Sequence, residues 1–199
     1  MTAERRAVLV VPGLHPRGCE KLQRLAYERA LSKWPANGYD VTLQQFGWND
    51  ALPLADRQNA LLETIDDMPE HISAIGASAG ALAVIGALQA APEKFDKILT
   101  IAAPLHLTET EFKKFKQNPV VPIPDILREA YIQADNFLSI ASLEGLSKII
   151  SLHGRHDPRV LPDWSQRPPL TSYELPVSGH GRTIMYALKK HRALLQGLL

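Results

Sequence analysis

Ile72-Ser73-Ala74-Ile75-Gly76-Ala77-Ser78-Ala79-Gly80-Ala81 is the stretch that decides how this chain folds. An apolar run, Ile72 to Ile75, meets a Gly-x-Ser-x-Gly turn, and an alanine-rich helical pattern continues from Ala79 to Ala91. A strand that turns sharply into a helix at such a sequence holds its serine in a strained backbone conformation with the hydroxyl exposed. The helix start then passes so close to the strand that bulky neighbours would clash, and Gly76, Ala77, Ala79, Gly80 and Ala81 are all small. Two glycines and a serine at this spacing arise roughly 0.04 times in a shuffled chain of this composition. The alternative is a Gly/Ala-rich turn that only lets a helix pack on a sheet, so the rest of the chain must decide between them.

Working outward, five further runs rich in β-branched residues and leucine read as strands: Val8 to Val11, Val41 to Phe46, Ile98 to Ala102, Lys148 to Leu152 and Ser172 to Val177. Helical patterns lie between them at Cys19 to Lys33, Leu54 to Met68, Asp125 to Asn136 and Arg182 to Leu198. Strands that alternate with helices and are apolar on both faces imply a three-layer α/β/α sandwich around a mainly parallel six-stranded sheet. Residues 1–199 read as one domain. The stretch from Pro104 to Pro124 breaks the rhythm with Phe112, Phe115 and a Pro-rich run. It reads either as a small lid over a site or as an ordinary surface connection.

Composition narrows the function classes. A formal charge of +1 gives no long-range bias toward nucleic acid or an anionic membrane face. The apolar run from Ala7 to Val11 is stopped by Pro12-Gly13, too short for a signal peptide or a membrane span. The single cysteine, Cys19, excludes an internal disulfide framework, and a cytoplasmic location is expected.

In a parallel sheet the ligand lies beyond the carboxyl ends of the strands, which directs scrutiny to residues 12–17, 76–80, 103–106, 154–162 and 178–182. A serine hydroxyl needs a base to take its proton, and that base needs an anion to fix its tautomer. His180 follows the last strand and Asp157 follows the fifth, where such a site requires them. Asp163 is the weaker acid candidate, since Pro162 and Trp164 look like the start of a helix or turn. His71 and His191 fall away from the carboxyl ends. His153 and His156 read as neighbours of the acid loop, and His15 and His106 as candidate walls of a substrate pocket, with Trp48, Leu14, Leu105 and Leu107 as apolar ones. No His or Cys spacing suits a catalytic metal. Gly13 and Gly18 resemble a phosphate loop only until Cys19-Glu20, where Lys and Ser/Thr would be required.

With Ser78, Asp157 and His180 in this order, the chain resembles the α/β-hydrolase family. The resemblance spans nearly the whole chain: Val11-Pro12-Gly13-Leu14-His15 looks like the oxyanion loop, Gly76 to Gly80 like the nucleophile turn, Gly154 to Val160 like the acid loop, and Gly179-His180 precedes the last helix. The family's two leading antiparallel strands are missing. What the resemblance implies is a trimmed member with strand order 2-1-3-4-5-6, in which the Gly13-Leu14 loop lies beside the turn and the backbone N–H groups of Leu14 and Ala79 converge on a developing oxyanion. It also implies a serine hydrolase that cleaves a carboxylic ester or thioester, a small-molecule substrate, with no cofactor. An amidase, peptidase or lipase with the same triad, and a non-catalytic member that binds a ligand or partner, remain alternatives at this level.

Overall fold

Six strands form along the apolar runs of the computed structural model, which describes residues 5–49, 51–105, 107, 109–116 and 124–190. They are β1 (Arg6–Val11), β2 (Tyr39–Leu43), β3 (Ile72–Ala77), β4 (Phe95–Ile101), β5 (Ile149–His156) and β6 (Thr171–Ser178). All pair in parallel, in the order β2-β1-β3-β4-β5-β6. The family resemblance implied this order.

Side-chain alternation divides each central strand between two cores. Leu9, Val11, Ala74 and Ile98 face one of them, with Leu61 and Ile65 of α2 (Leu54–Asp66), Leu82 and Ile85 of α3 (Gly80–Ala90) and Leu127 of α5 (Asp125–Ile140). Val8, Val10, Ile75, Leu99 and Leu152 face the other, with Tyr27 and Leu31 of α1 (Glu20–Leu31) and Ile184 and Leu188 of α8 (His180–Lys190). Helices therefore cover both faces, which is why the strands read as continuously apolar rather than alternating. The α3 helix is buried from Gly80 through Leu88. A helix wrapped on all sides shows no apolar stripe, and its alanines let it approach the sheet closely.

Several boundaries differ from the sequence pattern, β4 starting at Phe95 and β5 running on to His156 among them. β2 ends at Leu43 rather than Phe46, although the Gln44 N–H still reaches Val10 O at 2.9 Å. Gly47 takes a left-handed conformation (φ 68°), and the Phe46 and Trp48 rings, 4.6 Å apart, fold into the core cluster that holds Leu54 and Leu61. Helix α5 runs four residues past Asn136, to Ile140. A one-turn helix, α7 (Pro162–Ser165), stands where Pro162 and Trp164 suggested one.

Within the 104–124 stretch lies α4 (Glu109–Lys116). Phe112 stacks on Tyr131 of α5 at a ring distance of 6.0 Å, and Glu111 accepts a hydrogen bond from Trp164 of α7. Residues 106, 108 and 117–123 of the expected lid lie outside the described residues.

Candidate active site

The ends of β1 and β3 are neighbours, with Val11 paired to Gly76, and the first βα loop lies directly on the Ser78 turn. Three glycines make this possible. A Cβ at Gly76 would stand 2.4 Å from Ala81 Cα, one at Gly80 would stand 2.1 Å from Val11 O, and one at Gly13 would stand 2.6 Å from Ala77 O and 2.7 Å from Ser78 Cβ. No larger residue fits without moving main chain.

Ser78 itself is left-handed, with φ 52°. That conformation costs an L-residue roughly 1–2 kcal/mol. It is held by two main-chain bonds, from Ser78 N–H to Ile101 O (2.8 Å) and from Ala81 N–H to Ser78 O (3.1 Å). Ala79 caps α3, where the first N–H groups of the helix have no acceptor within it. A Cβ on Gly13 would lie 3.2 Å from Ala79 N, so the Gly13-Leu14 segment and the helix start form one surface.

Across the site, Asp157 is held on every side. Its Oδ1 accepts the N–H groups of Arg159 (2.9 Å) and Val160 (3.1 Å), and its Oδ2 lies 2.8 Å from Nδ1 of His180. A carboxylate only accepts, so Nδ1 carries the proton and Nε2 keeps its lone pair. The Asp157 side chain is 1% exposed and that of His180 is 12%, so their bond is shielded from water. His180 is the first residue of α8. It follows Gly179, which is left-handed at φ 96°, donates to His156 O and accepts from Thr183 N–H at 2.9 Å.

Ser78 and His180 line one open cavity of about 610 Å³, together with Leu14 and His15. Its position, beyond the carboxyl ends of the parallel neighbours β1 and β3, whose following connections lead toward opposite edges of the sheet, is the topological switch point of an open parallel sheet. Among the described residues no group of three or more His, Cys, Asp or Glu side chains could hold a metal ion. No helix among them is long and apolar enough to cross a membrane.

No protein-family model matches the sequence, and no curated protein matches it. Solved structures do match. A monoacylglycerol lipase from Paleococcus ferrophilus aligns with a TM-score of 0.66 at 14% identity, over 98% of this chain and 95% of that one. MGS-MChE2, an alpha/beta hydrolase enzyme from the metagenome of lagoon sediments of Mar Chica, Morocco, aligns at 0.68 and 15% identity, over 98% and 90% of the two chains. Polyneuridine aldehyde esterase aligns at 0.61 and 15%, over 98% of each.

The chain has the α/β-hydrolase fold.

On this fold the remaining candidates separate. His15 lines the cavity, with Nδ1 2.9 Å from Pro16 O and its carbonyl accepting from Asn49 at 3.0 Å. Trp48 and Leu105 are instead core residues, 2% and 1% exposed, and neither is among the residues that line the cavity. Trp48 turns inward because Gly47 reverses the chain just before it. Leu107 is likewise buried in the core, and its main chain bonds the Tyr131 hydroxyl. His106 lies outside the described residues, as does His191. Cys19 caps α1, and His71 is exposed beside Asp96.

Two residues of α1 that the sequence did not single out also reach the site. Gln23 Nε2 donates to Gly13 O at 3.0 Å, and Tyr27, buried in the core, lines the cavity beside it. Burial pushes the Tyr27 pKa up, and the Gly13 main chain nearby partly opposes that shift. The pair lie four residues apart, so both project from one side of α1 toward the cavity.

Proposed function

We propose that the protein is a serine hydrolase that cleaves a carboxylic ester or thioester through an acyl-enzyme on Ser78. The observation that carries this reading is the shielded Asp157–His180 pair opening onto the same cavity as a left-handed serine. Ser78 Oγ attacks the carbonyl carbon while His180 Nε2 takes its proton. Asp157 keeps the imidazole in the required tautomer and stabilises the imidazolium that forms. The N–H groups of Leu14 and Ala79 receive the oxyanion, a contribution of about 10²–10³ in rate for one donor. The C–O or C–S bond then breaks, with His180 returning the proton to the leaving alcohol or thiol. Water repeats the sequence on the acyl-enzyme and releases the acid. No cofactor enters any step, and the lipase and esterase names of the neighbouring structures agree with small-molecule ester chemistry.

The test is covalent labelling of the native protein with a fluorophosphonate, read by intact mass, beside Ser78→Ala and His180→Ala. Stoichiometric labelling that disappears in both variants supports an activated serine. A folded wild-type protein that stays unlabelled overturns the mechanism and leaves a ligand-binding member of the fold in its place.

A further inference from the structure

The charge lining the cavity is one-sided. Arg159, two residues past Asp157, and Arg182, two residues past His180, both line it, and no Asp or Glu side chain does. The carboxylates nearby already have partners: Asp157 accepts from His180 and from two main-chain N–H groups, and Glu20 lies 3.8 Å from His15. Four other arginines have partners, whereas Arg6, Arg17 and Arg29, which do not line the cavity, have none among the described residues. Arg24 bonds Glu28, Arg155 bonds Glu174, Arg167 bonds Asp135 and Arg57 bonds main-chain carbonyls. Among the described residues, the guanidinium groups of Arg159 and Arg182 have neither a hydrogen bond nor an ion pair. Arg182 is exposed and Arg159 half-buried, and the Arg182 stem runs past Gly179, its Cδ 4.0 Å from where a Gly179 Cβ would stand.

The cavity is open beside Arg182. A Cβ on Gly181, which also lines the cavity, would meet nothing within 4 Å. The first turn of the eleven-residue α8 faces this region and adds its positive end to the two guanidinium charges. Arginine in such a place matches the planar geometry of a carboxylate or phosphate better than any neutral group does.

We propose that this end of the cavity is an anion subsite, so that the ester or thioester cleaved at Ser78 carries a carboxylate or phosphate group held by Arg159 and Arg182. The ester part rests on the serine-hydrolase reading, whereas the anion subsite stands on the arginines alone.

The two can be tested apart. In the Ser78→Ala protein, where no turnover interferes, 3-phenylpropanoate, phenyl phosphate and neutral 3-phenylpropanamide are titrated by NMR at low and high salt. A charge-assisted bond is worth enough that either anion should bind roughly 10- to 100-fold tighter than the amide. That preference should vanish when Arg159→Gln and Arg182→Gln are added, fall at high salt, and persist when the surface control Arg24→Gln is added instead. Whichever of phenylpropanoate and phenyl phosphate binds better identifies the anion. Equal affinities for anion and amide, no saturable binding by either anion, or a preference indifferent to the two arginines would each overturn the subsite. In the wild-type protein, p-nitrophenyl adipate should then be hydrolysed with a kcat/KM at least about tenfold above p-nitrophenyl hexanoate. A protein that labels with fluorophosphonate but treats the two esters alike refutes the substrate class. One that binds the anions but never labels refutes the hydrolase reading and keeps the subsite.

Discussion

The two walls of the cavity are built in opposite ways. On the β1/β3 side main chain meets main chain, and a Cβ at Gly13, Gly76 or Gly80 would fall within 2.6 Å of a backbone atom. On the β6/α8 side a Cβ at Gly181 would touch nothing, and one at Gly179 would meet only the Arg182 stem. The first wall presents main-chain N–H groups and a strained serine, whose positions must be fixed to tenths of an ångström for charge stabilisation to operate. The second presents side chains: His180, held by Asp157, and Arg159 and Arg182, whose reach adjusts by rotation. On the proposed mechanism, close packing belongs where the backbone acts on the substrate, and open space where side chains do.

The largest expected effect lies at the joint between the walls. In Asp157→Asn, Oδ1 can still accept the N–H groups of Arg159 and Val160, but an amide NH₂ facing His180 forces the proton onto Nε2. Turnover of a chromogenic ester should fall about 10³- to 10⁴-fold while the fold is retained. A loss of less than tenfold, measured on protein of native circular dichroism, would show that the carboxylate does not set the tautomer.

Next comes the crowded wall itself. Gly80→Ala drives a methyl into Val11 O at 2.1 Å and Pro12 O at 2.7 Å, and neither atom can rotate away. Destabilisation of about 3 kcal/mol is expected, at the upper end of overpacking costs. Urea unfolding gives the number directly. A midpoint unchanged from wild type would mean that the loop and the helix start are less tightly joined than the contacts require.

The same contrast explains what could be read from the sequence. The six strands were legible because each central one is apolar on both faces. The Ser78 turn was legible because crowding leaves only glycine and alanine there, and His180 and Asp157 because both sit at strand ends. The end of β2 was not, since Phe46 and Trp48 continue an apolar run while Gly47 turns it into the core. For that reason Trp48 looked like a pocket wall and is a core residue. Gln23 and Tyr27 were invisible because the Gly13 loop that Gln23 bonds and the cavity they both line are brought to α1 only by the folded chain. Arg159 and Arg182 gave no signal because an arginine without a carboxylate is recognised only when its surroundings are known.

A smaller effect is expected behind the crowded wall. Gln23→Ala removes the donor to Gly13 O, and the buried carbonyl loses a bond worth about 1 kcal/mol. If the peptide's position matters, kcat should drop by several-fold more than KM rises, because Leu14 N–H is the next group along the chain. A stability loss with unchanged kcat would make Gln23 a packing residue only.

The smallest effect belongs to the open wall. Gly181→Ala places a methyl in empty space on the first turn of α8, where the residue has φ outside the left-handed region and alanine suits a helix better than glycine. Stability should change by no more than about 0.5 kcal/mol, in the direction of gain. Gly80→Ala and Gly181→Ala are the same chemical change at two helix starts that border one cavity. A melting temperature that falls in the second as it does in the first would place unseen main chain against Gly181, and the two walls would then be alike.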